Sequence, residues 1–130
     1  MLLRSGTRLN WDGSAASSSI RVRVFQLKGG AAFKAAGPEL MEGDARAILG
    51  EDLLGEPKEA ELRAPEGTER EHGYRVRFKE GELHPETRLI GVVACYTAPT
   101  DDRWKATLKV EALNDYYFAF SYKEVKVIRR

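Results

Sequence analysis

Residues 20–27 read Ile20-Arg21-Val22-Arg23-Val24-Phe25-Gln26-Leu27. Ile20, Val22 and Val24 alternate with Arg21 and Arg23. This is the period-2 pattern of a strand with one buried and one solvent-facing side. Phe25 and Leu27 then carry the large apolar side chains on the opposite parity. A strand that changes its buried face part-way predicts a bulge. One wet face is the mark of antiparallel rather than parallel sheets, so this segment already points to an all-β fold.

The same alternation recurs on both sides of it. Upstream, Thr7, Leu9 and Trp11 alternate with Arg8 and Asn10. Downstream, Ala60, Leu62 and Ala64 alternate with Glu59, Glu61 and Arg63, and Tyr74, Val76 and Phe78 with Arg75, Arg77 and Lys79. Trp104, Ala106, Leu108 and Val110 follow the same rule, as do Tyr116, Phe118 and Phe120, and Val125 and Val127 close the chain. Residues 89–96 are apolar at both parities apart from Gly91, so they predict an inner strand covered on both faces. About eight strands of this kind imply an antiparallel β-sandwich.

Residues 31–54 break the pattern. Ala31 to Ala36 predict a helical turn stopped by Gly37-Pro38. Asp44 is a candidate N-cap for a short helix bearing Ala45, Ile48 and Leu49, with Gly50 at its end. Between the first two strands lies Gly13-Ser14-Ala15-Ala16-Ser17-Ser18-Ser19. Small residues without an apolar anchor predict an exposed loop there.

The chain has 130 residues, 42% apolar and 32% charged. That fits one domain, residues 1–130, with a self-supporting core. Lys and Arg number 21 against 20 acids. A nucleic-acid binder shows a basic excess, so no nucleic-acid partner is expected. Met1-Leu2-Leu3-Arg4 is followed by no apolar stretch of the kind a signal peptide carries.

Catalytic and metal-binding chemistry finds little support. His72 and His84 stand twelve apart in turn-like contexts, without the ligand spacing of a zinc site, and read as solvated loop histidines. Cys95 is the single cysteine and falls in the apolar strand, which predicts a buried, inert thiol. No Gly-x-Ser-x-Gly elbow or phosphate-binding glycine loop is present. Asp101-Asp102 reads as turn chemistry after Pro99-Thr100. Arg21, Arg23, Arg75, Arg77, Lys79, Lys105 and Lys109 line outward parities, and Glu59, Glu61, Glu69 and Glu71 are expected to pair with them across strands. No catalytic residue, metal or cofactor is predicted.

Several segments in order resemble the TssJ (SciN) family, the outer-membrane lipoproteins of the bacterial type VI secretion system. They are Val22-Arg23-Val24-Phe25-Gln26-Leu27-Lys28 followed by Ala31-Ala32-Phe33, then Leu49-Gly50-Glu51-Asp52-Leu53-Leu54, then Arg88-Leu89-Ile90-Gly91-Val92-Val93-Ala94-Cys95-Tyr96 followed by Trp104-Lys105-Ala106. Asn10 before a turn containing Asp12 is similar to the family's start.

The resemblance implies a transthyretin-like β-sandwich with the helical segment inserted near residues 31–54. It also implies a non-enzymatic adaptor, tethered by acyl chains to the inner leaflet of the outer membrane. Such an adaptor docks the periplasmic C-terminal domain of a TssM-like inner-membrane protein. The family contact is ascribed to the loop between the first two strands. Here that loop is Asn10, Trp11, Asp12, Gly13, Ser14, Ala15, Ala16, Ser17, Ser18 and Ser19. Gln26, Gly91 and Trp104 read as fold-maintaining. Gln26 is expected to satisfy backbone groups, Gly91 to mark a bulge or close approach, and Trp104 to pack across the sandwich.

The family's acylated cysteine precedes its first strand, and no cysteine stands before Leu9 here. Residues 1–130 are therefore expected to be the soluble periplasmic part, monomeric in isolation, with signal peptide and lipobox absent. The anchor would belong to the native precursor.

Two other readings compete with this one. Hydroxyisourate hydrolase shares the transthyretin-like fold, but its family needs paired histidines and a C-terminal Tyr-Arg-Gly-Ser, whereas this chain ends Val127-Ile128-Arg129-Arg130. A periplasmic module binding a small ligand or glycan would need an aromatic platform. Tyr116, Tyr117 and Tyr122 are the candidates, with Tyr117 the best placed by parity.

Overall fold

The parity change at Phe25 appears as a bulge. In the structure, a computed structural model that describes residues 1–6, 9, 19–65, 70–96, 102–121 and 123–130, strand β2 (Ile20–Leu27) pairs with β3 (Leu53–Leu62). The register shifts between Val24 and Gln26. Before the shift Ile20, Val22 and Val24 are buried, and after it every residue to Leu27 is.

The described residues form eight strands in two four-stranded sheets. The other strands are β1 (Leu2–Ser5), β4 (His72–Arg75), β5 (Leu89–Ala94), β6 (Lys105–Lys109), β7 (Tyr116–Phe120) and β8 (Val125–Arg129). One sheet has the order β4-β1-β7-β8 and the other β3-β2-β5-β6. Between them lies a core that includes Leu3, Val22, Ile90, Val92, Trp104, Phe118 and Phe120. The all-β sandwich of about eight strands is therefore present.

Three strand readings need correction. The first strand is Leu2–Ser5, upstream of the alternating Thr7, Leu9 and Trp11. Leu9, the one described residue of those three, is buried in a turn. The sheet is not wholly antiparallel, because β1 pairs with β7 in parallel, Leu3 opposite Phe118. Tyr74, expected inside, is 39% exposed. Its parity is right: Tyr74, Leu3, Phe118 and Val127 form one row across the sheet. Leu3 and Phe118 lie under the second sheet, whereas Tyr74 and Val127 stand on its two edge strands beyond that cover.

The helical segment follows the sequence closely. Helix α1 (Ala31–Ala35) stops before Gly37-Pro38, and a 3-10 turn follows at Pro38–Met41. Helix α2 (Ala45–Leu49) is capped by Asp44, whose Oδ1 accepts from Arg46 N at 3.1 Å and Ala47 N at 3.3 Å. It ends at Gly50, whose φ of 59° suits glycine. The segment folds over the outer face of β2, β5 and β6, so β5 is covered on both sides.

Outward-facing cations hold this cover. Arg23 Nη1 donates to Leu40 O (2.8 Å) and Gly43 O (3.0 Å), and Arg21 Nη2 to Met41 O (3.1 Å). Lys105 Nζ donates to Phe33 O, Lys34 O and Ala36 O, the carbonyls at the C-terminal end of α1. The expected cross-strand pairing is present at Arg23, opposite Glu59 at 3.7 Å. Capping of carbonyls, however, is the use the sequence did not reveal. Gly91 lies directly beneath the cover: a Cβ there would meet Leu27 Cδ1 and Phe33 Cε2 at 2.9 Å each. Gln26 is buried; its Nε2 donates to Glu82 O (2.9 Å), and its Oε1 accepts from His84 N (2.6 Å) and Thr87 Oγ1 (2.9 Å).

Candidate partner-binding end of the sandwich

Four strand connections leave the same end of the molecule. In one sheet the registers bring together the start of β2, the end of β3, the end of β5 and the start of β6. In the other they bring together the end of β1, the start of β4, the end of β7 and the start of β8. Bonds between the sheets put both sets at one end. Ser5 Oγ donates to Arg63 O at 2.6 Å. The Tyr96 hydroxyl donates toward Glu124 O (2.9 Å) and Ser121 O (3.1 Å), and Val125 N donates to Arg103 O (2.8 Å). Connections 6–19, 63–71, 95–104 and 121–124 therefore rise from a common base tied together by hydrogen bonds.

Of the loop residues singled out in the sequence, Asn10, Trp11, Asp12, Gly13, Ser14, Ala15, Ala16, Ser17 and Ser18 lie outside the described residues. Ser19 is exposed, and its Oγ donates to Glu61 Oε1 at 2.7 Å, fastening the loop's last residue to β3. Nothing in the sequence groups the other three connections with this loop. Turn residues mark each of them in sequence, but turn chemistry does not tell which end of a sandwich a connection occupies.

Burial pushes the Tyr96 phenol well above its ordinary value of 10.0, against the opposing effect of its bonds to the Glu124 and Ser121 carbonyls. A group whose folded-state value is raised contributes stability that is complete below the unfolded value and is lost as pH rises beyond it. The protein is expected to lose stability as pH climbs above about 10. Tyr96→Phe should remove this tyrosine's share of the loss and cost about 1 kcal/mol at neutral pH. Urea unfolding across an alkaline pH series measures both.

The remaining chemical groups sit apart. Among the described residues no cluster of three or more His, Cys, Asp or Glu side chains is placed to hold a metal ion. His72 opens β4 rather than lying in a loop, and His84 Nδ1 accepts from Glu86 N at 3.0 Å. Cys95 stands one residue beyond β5, half-buried rather than in the core, with Sγ 3.4 Å from Met41 O. Burial raises its thiol above the ordinary value despite neighbouring Arg21, which disfavours a thiolate. Tyr117 faces outward and carries the Arg4 guanidinium 4.6 Å above its ring, while Tyr116 shares the inward parity of Phe118; Tyr122 lies outside the described residues. The two described tyrosines thus point to opposite faces and build no common platform.

The family profile of the type VI secretion lipoproteins (T6SS-SciN; VasD, EvfM, TssJ) matches residues 1–127. No curated protein matches the chain significantly. Among solved structures, the chain is similar to the type VI secretion lipoprotein TssJ1 from Pseudomonas aeruginosa. That match has 25% identity, covers 99% of this chain and 92% of that one, and has a TM-score of 0.72. Serratia marcescens Lip, a membrane-bound component of the type VI secretion system, shares the fold at 20% identity, with coverage of 98% and 94% and a TM-score of 0.74. So does a chain in a structure described as the C-terminal domain of TssM from EAEC, at 18% identity, with coverage of 100% and 96% and a TM-score of 0.71. Eight strands in two sheets, the bulged β2, the capped helical cover and a profile match along nearly the whole length converge, and the chain belongs to the type VI secretion lipoprotein family.

Proposed function

We propose that this protein is a non-enzymatic structural adaptor of the type VI secretion membrane complex. It docks the periplasmic C-terminal domain of a TssM-like inner-membrane protein through the loop end of the sandwich. In this reading Trp11 and its neighbours from Asn10 to Ser19 make the leading contact. Acyl chains upstream hold the protein to the inner leaflet of the outer membrane, and the periplasmic part, residues 1–130, works as one domain and is a monomer when isolated. The observation that carries the reading is the common base of four connections, held together across the two sheets by hydrogen bonds. The family profile and the fold shared with a structure described by TssM support it.

Calorimetric titration with the TssM C-terminal periplasmic domain from the same source tests it, with one-to-one binding as the expected result. Trp11→Ala should weaken that binding by about thirtyfold, roughly 2 kcal/mol, because a central tryptophan is the commonest hot spot. Deleting residues 14–18 should weaken it as well, with the circular dichroism of both variants native. Unchanged affinity in both would move the contact away from this loop.

A further inference from the structure

Strand β6 is the edge of its sheet. Its bonds to β5 run through even-numbered residues: Trp104 O accepts from Ala94 N (2.8 Å) and Val110 N donates to Arg88 O (3.0 Å). The register places Ala106 opposite Val92 and Leu108 opposite Ile90. Antiparallel alternation then turns the N–H and C=O groups of Lys105, Thr107 and Lys109 away from β5, toward the open edge. β8 passes close to β6 on this side: Val125 N donates to Arg103 O at 2.8 Å, but among the described residues β8 makes no backbone bond to Lys105, Thr107 or Lys109.

Two cavities follow the same strand. One of about 410 Å³ lies between α1 and β6, against Phe33, Lys34 and Thr107. The other, about 600 Å³, lies against Lys28, Arg88 and Lys109. Gly29 lines one and its chain neighbour Gly30 the other, so the two depressions follow one another along residues 105–111 and together offer a groove. Lys28, Lys34, Arg88 and Lys109 are exposed along it, and their charged groups have no partner among the described residues. Asp102 and Glu111 are the acids among its lining residues, and the Asp52 carboxylate lies beside Gly29, 3.4 Å from where a Cβ would stand. The Lys105 ammonium is already taken by the α1 carbonyls.

We propose that an acidic, extended segment of a partner protein adds to β6 as a further strand. Its backbone bonds to Lys105, Thr107 and Lys109, alternate side chains enter the groove beside α1, and its carboxylates face Lys28, Lys34, Arg88 and Lys109. An edge strand beside a helix binds peptides in this way, with backbone bonds supplying affinity and the groove selectivity. The five residues of β6 offer about 17 Å of edge, room for five or six residues of partner. This surface lies along the side of the sandwich and runs away from the loop end, so it stands independently of the adaptor reading.

The test titrates the full chain with a seven-residue peptide of alternating valine and aspartate, followed through backbone amide resonances. A peptide of alternating valine and lysine serves as comparison. Saturable binding of the aspartate peptide is expected, weakened by salt, with shifts concentrated at residues 28–34, 88–89 and 105–111. Thr107→Pro removes an outward donor without taking a bond from the β5–β6 ladder, and should weaken binding about tenfold. The double variant Lys28→Glu with Lys109→Glu, confined to exposed charges, should abolish the preference for aspartate over lysine even if the proline variant fails to fold. No saturation at millimolar peptide, shifts centred on the loop end, or equal binding of the two peptides would each overturn the proposal.

Discussion

Replacing Gly91 by valine is expected to lower the unfolding free energy by about 3 kcal/mol, at the upper end of what overpacking costs. A Cβ at this position already meets the Leu27 and Phe33 side chains at 2.9 Å, before any γ-methyl is added. Leu27 Cδ1 is the far end of a flexible chain and yields. The Phe33 ring does not yield easily: it lies edge-on to Phe25, with centroids 6.2 Å apart, under the Lys105 ammonium at 5.6 Å. The damage should therefore fall on the cover rather than on the sheet. Hydrogen exchange is expected to rise across Ala31–Ala35 and Pro38–Met41 while β2 and β5 stay protected. Phe33→Leu in the same chain should recover part of the loss. A coupling of at least about 1 kcal/mol between the two substitutions is the expected result, and additivity within about 0.5 kcal/mol would show that Gly91 and Phe33 do not constrain each other.

Gln26→Leu should cost about as much, roughly 3 kcal/mol, by a different route. The leucine fills the volume but leaves Glu82 O, His84 N and Thr87 Oγ1 without the amide that serves all three. These groups belong to the long connection between β4 and β5, and Gln26 ties it to the end of β2. For a domain of this size the loss corresponds to a fall of about 10 °C in the unfolding midpoint. Gln26→Glu keeps both acceptor bonds but can donate to Glu82 O only when protonated. Its folded-state pKa should then lie above the usual glutamate value, so its stability is full in acid and falls as pH rises through that value. A loss below about 1 kcal/mol for the leucine variant would mean that water replaces the amide and that the connection is held elsewhere.

Much of this architecture is legible one segment at a time. The parity change at Phe25 predicts the bulge, Asp44 and Gly50 delimit α2, and residues 89–96 announce a strand buried on both faces. Each of these is a local signal, carried within a few residues by side-chain period or capping chemistry. Leu2 and Leu3 are too short an apolar run to signal a strand, yet β1 stands inside its sheet between β4 and β7. The apolar neighbours of Cys95 predict a core position, but the strand ends one residue earlier and leaves the thiol half-buried. The loop proposed as the contact stands out in the sequence as a run of small residues, whereas the three connections that share its end of the sandwich carry no signal that groups them with it.

The sequence by itself determined the class of fold, the place of the helical cover, the roles of Gln26 and Gly91, and the family. Those follow from periodicity, caps and motif order, which are properties of neighbouring residues. The tertiary structure alone decided that β1 runs parallel to β7, that Tyr74 and Val127 fall on uncovered edges, and that Arg21, Arg23 and Lys105 spend their charges on carbonyls of the cover. It also decided that four connections share one end. Strand order and the pairing of one sheet's ends with the other's depend on segments tens of residues apart. A pattern that repeats every two residues shows which side of a strand is apolar, but not which strand will lie beside it.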